Sequence, residues 1–414
     1  MRLITRDVSQ QSDALVSKVL NKLEGLNKPR KYFIIHILHL YLSLRGRYNF
    51  HGFSRYGDKC EKTYRLQFEQ SFDYLSFNIE MCSSELSSHL ILAFDPSYLP
   101  KSGKKTPNLG NFWSGCLGKA VKGLEIGGLA VVDLLHHTAF NLEAIPTPSP
   151  SELAAKKLSL VDHYAQVIVD RADQITTLSN YLAVDGYFSK QGFIYPIMKH
   201  TKLHLISKLR ADANLKYLYN GSKKKGRGRP KKFDGKVATK QIDKSKFKLV
   251  HQDEQTRIYQ ALLWSVGLKR KVNVAYVEFL NKGDFTGRYA IYFSTDLTLD
   301  ALLIYQYYKA RFQIEFLFRD AKQHIGLTHC QARSQAKLHF HVNASLTAVG
   351  IAKITHYLSQ QTPRKVTYSL ADVKTAHSNQ RMLNLFLSSF QINPNIEKNK
   401  HIIDSIIAYG TIAA

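Results

Sequence analysis

The segment YYKARFQIEFLFRDAKQHIGL, residues 307–327, has the periodicity of an amphipathic helix. At about 100° per residue, four polar side chains fall within an arc of roughly 60°, namely those of Tyr308, Arg311, Glu315 and Lys322. An adjacent arc holds apolar side chains, which predicts that the helix packs on a core. The polar stripe is either a solvated face with incidental charges or a chemical site, and the rest of the chain has to distinguish the two.

The overall charge indicates a phosphate-rich partner. The 414 residues include 58 Lys and Arg against 32 Asp and Glu, which gives a net charge of +26. Such a charge suits nucleic acid or an anionic membrane surface. The longest apolar runs fall well short of the roughly 20 residues that a membrane span needs, and the first residues lack the apolar core of a signal peptide. We therefore expect a cytoplasmic protein that binds nucleic acid and no membrane.

The cysteines predict neither disulfides nor structural zinc. Cys60, Cys82, Cys116 and Cys330 are widely scattered and form no C-x-x-C pair. We expect reduced thiols, as is usual in the cytosol.

Residues 50–72 predict a helix-turn-helix. A short helix over residues 50–56, a turn at Gly57 and Asp58, and a second helix over residues 60–72 have the required lengths. The second helix would expose Lys62, Thr63, Arg65 and Gln67 to base edges or phosphates in a major groove. An ordinary helical hairpin is the alternative.

Residues 86–210 predict a mixed α/β domain. A buried strand in HLILAFDPSYLP ends at Asp95 and Pro96, and LEIGGLAVVDLL forms further strand with a turn or bulge at its glycines. Residues 151–175 form a helix. The strand at residues 181–184 then delivers Asp185, and a helix and another strand follow. Two acidic residues thus stand at strand ends, where catalytic groups commonly lie.

Residues 211–295 predict a mainly β insertion that carries a basic arm. Residues 221–250 hold twelve Lys or Arg and two Asp, a net charge of +10. The arm suits phosphates or a minor groove, although a solvating linker is the alternative. Its candidate DNA-binding residues are Lys223, Lys224, Lys225, Arg227 and Arg229.

Asp95, Asp185 and Glu315 are the carboxylates that we expect to meet at one edge of the sheet. Three such groups resist joint ionisation unless cations join them. Oxygen ligands suit Mg²⁺ or Mn²⁺, and two such ions can promote phosphodiester chemistry.

In this order, the motifs FDPS, AVDGYF and the helix at residues 307–327 resemble the DDE transposases of bacterial insertion sequences. The spacing Tyr308-(2)-Arg311-(3)-Glu315-(6)-Lys322 is similar to the Y-(2)-R-(3)-E-(6)-K signature of insertion-sequence family four and its relatives. The resemblance covers roughly residues 90–360. It implies a ribonuclease H-like catalytic domain and a β-rich insertion before the glutamate helix.

The resemblance also implies residue roles. Asp95, Asp185 and Glu315 become the metal-binding triad for two Mg²⁺ ions, for which Mn²⁺ can substitute. Tyr308, Arg311 and Lys322 become holders of phosphates at the transposon end. An aromatic residue of the insertion would stack on a flipped base, for which the candidates are Trp264, Tyr289 and Tyr292, although each is an equally good core residue.

The resulting fold class is α/β. We expect a ribonuclease H-like mixed sheet with flanking helices, interrupted by the β insertion and preceded by a helical N-terminal DNA-binding domain. The expected divisions are residues 1–85, 86–210, 211–295, 296–360 and 361–414, of which the last has no assigned role.

The expected function is cut-and-paste transposition of the element's own inverted-repeat ends. Cleavage and strand transfer would be metal-dependent and would pass through a DNA hairpin, and a homodimer would hold paired ends. We expect the protein to lie in the bacterial cytoplasm in association with the nucleoid. The alternatives are an inactive or domesticated repeat-binding protein and a metal-dependent nuclease without strand transfer.

Overall fold

The computed structural model describes residues 8–115, 117–221, 230–358, 368–394 and 396–412. Within these ranges the chain forms one large mixed sheet with helices packed around it. The predicted α/β class is therefore confirmed. Among the described helices, none has the length and apolar character needed to cross a bilayer.

The chain begins with five helices, α1 Val8–Lys22, α2 Lys28–Ser43, α3 Phe50–Tyr56, α4 Glu61–Glu69 and α5 Tyr74–Glu85. Helices α3 and α4 lie where the sequence predicts the helix-turn-helix. Asn49 caps α3 by accepting a hydrogen bond from the Gly52 N–H at 2.7 Å. Gly57 ends α3 in extended backbone, and a Cβ atom there would overlap the Tyr64 hydroxyl. The turn therefore needs glycine because two helices approach closely.

These N-terminal helices share one core with the rest of the protein. Helices α1 and α2 pack on α12 (Gln335–Leu358), and α5 packs on strand β4 (Thr138–Pro146). Except for Val8, the buried apolar residues of these five helices belong to the same cluster as those of the sheet. Residues 8–85 are thus fixed against the sheet.

Six strands build the first part of the sheet, β1 Leu90–Pro100, β2 Gly110–Ser114, β3 Lys119–Asp133, β4 Thr138–Pro146, β5 Tyr181–Val184 and β6 His204–Leu209. β3 lies antiparallel to β1, β2 and β4. On its other side β1 is parallel to β5, and β5 is parallel to β6. The central order β4-β3-β1-β5-β6 is consistent with the ribonuclease H-like arrangement that the sequence predicts.

One strand prediction is wrong, and another holds only in part. β1 does not end at Asp95 and Pro96 but continues to Pro100, because its pairing with β3 persists along its whole length. Proline is tolerated at the edge of a sheet, where its missing N–H leaves no hydrogen bond unmade. The pairing of β1 with β5 ends at Phe94, so Pro96 lies where that side of β1 no longer pairs with β5. β3 has no turn at Gly127 and Gly128, but its pairing with β4 shifts register, as at a bulge, between the neighbouring residues Leu129 and Ala130.

The predicted helix over residues 151–175 is three short helices, α6 Pro150–Ala155, α7 Leu160–Val169 and α8 Ala172–Ile175. Ser149 with Glu152 and Ser159 with Asp162 form capping boxes that start α6 and α7. Each box satisfies N–H groups at a new helix start, which explains the division. After β5 come a 3₁₀ turn at Gly186–Phe188 and α9 Gln191–His200.

The insertion extends the same sheet. Its described strands are β7 Leu215–Leu218, β8 Phe233–Lys236, β9 Lys248–Gln252, β10 Thr256–Ser265, β11 Arg270–Asn281 and β12 Asp284–Ser294. β12 pairs antiparallel with β6, and Ile291 lies opposite Leu209. The end of the insertion is therefore hydrogen-bonded to the catalytic sheet. In the described residues the combined sheet has twelve strands.

Residues 307–327 do not form one helix. Its helices are α10 Ala301–Ala310 and α11 Gln313–His324, followed by α12 Gln335–Leu358. Tighter i to i+3 bonds join them, such as that from the Glu315 N–H to the Phe312 carbonyl at 3.1 Å. The break lies at Arg311 and Phe312, and the chain keeps right-handed helical dihedrals there. Two further helices, α13 Leu370–Ser389 and α14 Glu397–Ile407, pack on each other near the C-terminus.

Candidate active site

The two aspartates lie side by side at the edge of the parallel ladder. The last rung between β1 and β5 joins Phe94 to Val184. The next residue on each strand is Asp95 or Asp185, so adjacent strands deliver both carboxylates to the same place. The Asp185 carboxylate also accepts a hydrogen bond from the Tyr187 N–H at 3.2 Å, which fixes its orientation.

Glu315 reaches this edge because α11 packs directly on β1, β3 and β4. The buried residues of α11 are Ile314, Leu317, Phe318 and Ala321. A Cβ atom at Gly128 would overlap the Phe318 ring. Since Gly128 pairs with Asp95 in the β1–β3 ladder, the missing side chain at Gly128 lets the glutamate helix approach the strand that carries Asp95.

Arg311 joins the carboxylates. Its Nη1 lies 3.5 Å from Asp95 Oδ1 and its Nη2 lies 3.1 Å from Glu315 Oε1. Arg311 is 7% exposed, and its ion pair with Asp95 is more shielded from water than its ion pair with Glu315, whose side chain is 40% exposed. Arg311 Nε and Nη1 have no hydrogen-bond partner among the described residues. Both nitrogen atoms are buried, so the guanidinium keeps hydrogen-bonding capacity that the described residues do not satisfy.

Tyr308 places its hydroxyl 3.4 Å from Asp185 Oδ1. Its ring packs against Tyr292 of β12, with 4.8 Å between centroids. Lys322 follows Glu315 by about two turns on α11 and is half-buried. The structure therefore brings Asp95, Asp185, Tyr308, Arg311 and Glu315 together despite the break in the helix.

Burial and like charge set the protonation of the site. Burial raises the pKa of Asp95 to about 7, Arg311 opposes the rise, and Glu315 and Asp185 add to it. Asp95 therefore lies close enough to Asp185 and Glu315 to feel the charge of both carboxylates. A cation that binds here stabilises their joint ionisation.

The donor set is all oxygen, which fits a hard divalent cation. Within the described ranges, however, no three acidic, His or Cys side chains stand at distances that would hold a metal ion. Arg311 now supplies the positive charge at Asp95 and Glu315. The chemistry of Asp95, Asp185 and Glu315 therefore fits a metal ion, whereas their spacing in this structure does not, and their role as metal ligands stays a prediction.

The predicted DNA-contacting residues of α4 differ in placement. Lys62 is exposed and Thr63 is half-buried, with its hydroxyl 3.3 Å from the Cys60 Sγ. Arg65 donates to Glu61 at 2.9 Å and its guanidinium lies over the Phe50 ring. Gln67 is not free to face DNA, because it accepts a hydrogen bond from buried Arg30 at 2.7 Å. The expectation that Gln67 is an exposed contact is therefore wrong.

The base-stacking candidates all make ring contacts within the protein. Trp264 packs against Phe233, Tyr289 stacks on Tyr276, and Tyr292 is buried against Tyr308. A stacking role for each stays a prediction. The arm residues Lys223, Lys224, Lys225, Arg227 and Arg229 lie outside the described residues.

Sequence reasoning missed two contributors to the site. Glu125 on β3 is a further carboxylate, buried unlike the other three, which accepts a hydrogen bond from Tyr164 at 2.6 Å and raises the pKa of Asp95 in addition to burial. Glu125 is the one charged residue in the apolar run LEIGGLAVV, and this pattern could have identified it as a candidate site residue. The role of Gly128 had no such signal, because it depends on the distant residue Phe318.

Comparison with known proteins agrees with this geometry. No curated protein matches the chain. Residues 132–351 match the family model described as the transposase DDE domain. The match covers more than half of the 414 residues and contains Asp185, Arg311 and Glu315, whereas Asp95 precedes it. Enzymes of this family cleave and transfer DNA strands and generally depend on divalent metal. The chain therefore belongs to the transposase DDE domain family.

Proposed function

We propose that this transposase cuts and pastes its own insertion sequence, and that it belongs to insertion-sequence family four or a close relative. The observation that carries the proposal is the convergence of Asp95, Asp185 and Glu315 around Arg311, with Tyr308 at hydrogen-bonding distance from Asp185. The substrates are the terminal inverted repeats and target DNA.

The residues divide the chemistry between them. Asp95, Asp185 and Glu315 would hold two Mg²⁺ ions, for which Mn²⁺ can substitute. When bound, such ions activate an attacking oxygen and stabilise the leaving one. Arg311 and Lys322 contribute cationic donors for phosphate oxygens, and Tyr308 contributes a hydroxyl. Holding the strand in this way favours in-line attack, first to nick the end, then to form a hairpin and finally to join target DNA.

Clusters of exposed apolar residues support a homodimer on paired ends. On α13, Leu385 is 55% and Phe386 is 53% exposed, and Phe390 just beyond it is 65% exposed. Beyond α14, Tyr409 is 81% exposed. Large apolar side chains clustered at a surface mark association sites. A scattering mass that corresponds to two chains on end DNA is expected, and a mass of one chain would count against the dimer.

One assay separates the proposal from its alternatives. The protein is incubated with Mg²⁺ and labelled duplexes taken from the inverted repeats that flank its gene. We expect nicked, hairpin and joined products. Cut products alone would indicate a nuclease without strand transfer. Bound but unaltered DNA would indicate a repeat-binding protein, and either result would overturn the proposal.

A further inference from the structure

A basic pocket lies between helix α4 and the segment that enters helix α12. Its volume is about 680 Å³, and it is lined by Arg65, Gln331, Ala332, Arg333, Ser334 and Lys337. We call it the α4–α12 pocket. It lies outside the carboxylate site, and of its residues only Arg65 was predicted from sequence to contact DNA.

Specific contacts hold the walls of this pocket together. The Phe68 and Phe340 rings of α4 and α12 pack with 4.3 Å between centroids. Glu69 accepts a hydrogen bond from the Ser334 hydroxyl at 3.1 Å and forms an ion pair with Lys337. Because both helices are fixed in this way, the pocket is a preformed feature of the fold.

The charge of the pocket is positive. Glu61 pairs with Arg65 and Glu69 pairs with Lys337, which offsets two of the three cations. Arg333 is exposed, and the described residues provide it with no ion-pair partner. Helix α12 also begins at this place, and the N-terminus of a helix favours anions. The pocket therefore has the chemistry of a phosphate site.

The position of the pocket favours duplex DNA over a small anion. Lys62 on the exposed side of α4 lies one turn before Arg65, which extends the basic surface beyond the pocket. The segment that supplies Arg333 follows α11, the helix that carries Glu315 and Lys322. The phosphate backbone of one duplex could thus contact the predicted helix-turn-helix and continue toward the helix that carries Glu315.

We propose that the α4–α12 pocket binds the phosphate backbone of duplex DNA, with Arg333 as its main contact and Arg65 as a second. The inference rests on the proposed function, since it supposes that the chain binds transposon ends. It adds a backbone contact that holds the helix-turn-helix and the catalytic helix in one register on the same duplex.

The test measures how binding depends on salt. Each phosphate contact contributes about 0.9 to the slope of log affinity against log salt concentration. Arg333→Ala should weaken binding of a labelled end duplex and lower the slope by about that amount, and adding Arg65→Ala should lower it further. Arg333→Lys should keep most of the slope. Lys18→Ala is the matched control, because Lys18 is an exposed cation on α1 paired with Glu85.

The outcomes separate this inference from the proposed function. If the parent cuts and joins ends but Arg333→Ala keeps the parental slope, the pocket proposal is wrong and the transposase assignment stands. If inorganic phosphate protects the pocket from Arg333 modification while the duplex does not, the pocket is a small-anion site. If the parent binds no duplex at all, the proposed function fails and the pocket proposal fails with it. Thermal unfolding of each variant checks that the fold is intact.

Discussion

The Phe318 ring lies against Gly128, the residue that pairs with Asp95 across the β1–β3 ladder. This contact sets the distance between the helix that carries Glu315 and the strand that carries Asp95. It links packing of the core to the geometry of the carboxylates.

Gly128→Ala should therefore destabilise the protein and impair cleavage. The added methyl would overlap Phe318, and overpacking of this kind costs about 1–3 kcal/mol. Thermal unfolding and metal-dependent nicking are measured together. Gly267→Ala is the control, because a Cβ atom there meets no atom within 4 Å. Equal melting temperatures for the Gly128 and Gly267 variants would show that the close approach is unimportant.

We expect the contribution of Lys353 to the free energy of unfolding to depend on pH. This buried lysine of α12 donates to the Ala139 carbonyl at 2.8 Å, and burial lowers its pKa from 10.5 to about 8. Between these values the unfolded chain binds more protons than the folded one, so this group makes stability rise with pH from about 8 to 10.5. Below pH 8 the buried charge lowers the free energy of unfolding by roughly 3 kcal/mol. The hydrogen bond to the Ala139 carbonyl keeps this cost from being larger.

Lys353→Met keeps an unbranched side chain only one atom shorter and removes the charge. We expect the variant to be more stable than the parent at pH 7 and the difference to shrink toward pH 10. Denaturant unfolding at a series of pH values measures this difference. A gap between variant and parent that stays constant with pH would show that Lys353 keeps its ordinary pKa.

Arg311 should affect positioning more than metal binding. Arg311→Ala removes the donors at Asp95 and Glu315 but leaves the carboxylates, so end binding should survive. Misplacement of a strand by about 1 Å can cost roughly 10²-fold in rate, and hairpin formation should suffer most. Arg311→Lys should restore little, because a single ammonium lacks the planar fork. Nicking, hairpin and joined products are compared on intact and pre-nicked ends. Parental behaviour of Arg311→Ala in every step would leave the polar stripe with a structural role only.

The sequence predicted the site best where the signal was local. β5 ends at Val184 and Asp185 follows directly, so an apolar run followed by an acidic residue located it correctly. The spacing of Tyr308, Arg311 and Glu315 also survived the break in the helix, because the residues at the break keep helical dihedrals. Short-range periodicity was sufficient for these residues.

The sequence could not show which distant residues pair or pack with one another. Pro96 looked like the end of a strand because nothing local shows that β3 continues alongside it. Gly127 and Gly128 suggested a turn or a bulge, and nothing local shows that their lack of side chains makes room for rings from other segments. Gln67 looked exposed because Arg30, which takes it inward, lies on α2. These three errors came from contacts between residues far apart in the chain.

The catalytic role of the three carboxylates is tested by Glu315→Gln, with Asp185→Asn as a second variant. Glutamine keeps the size and hydrogen bonding of Glu315 but removes the charge that would hold a metal ion. The measurement is the nicking rate of a labelled transposon end in Mg²⁺, with end binding followed in parallel. The structure predicts that nicking falls by orders of magnitude in both variants while binding stays near the parental level. Nicking at the parental rate by Glu315→Gln would contradict the assignment.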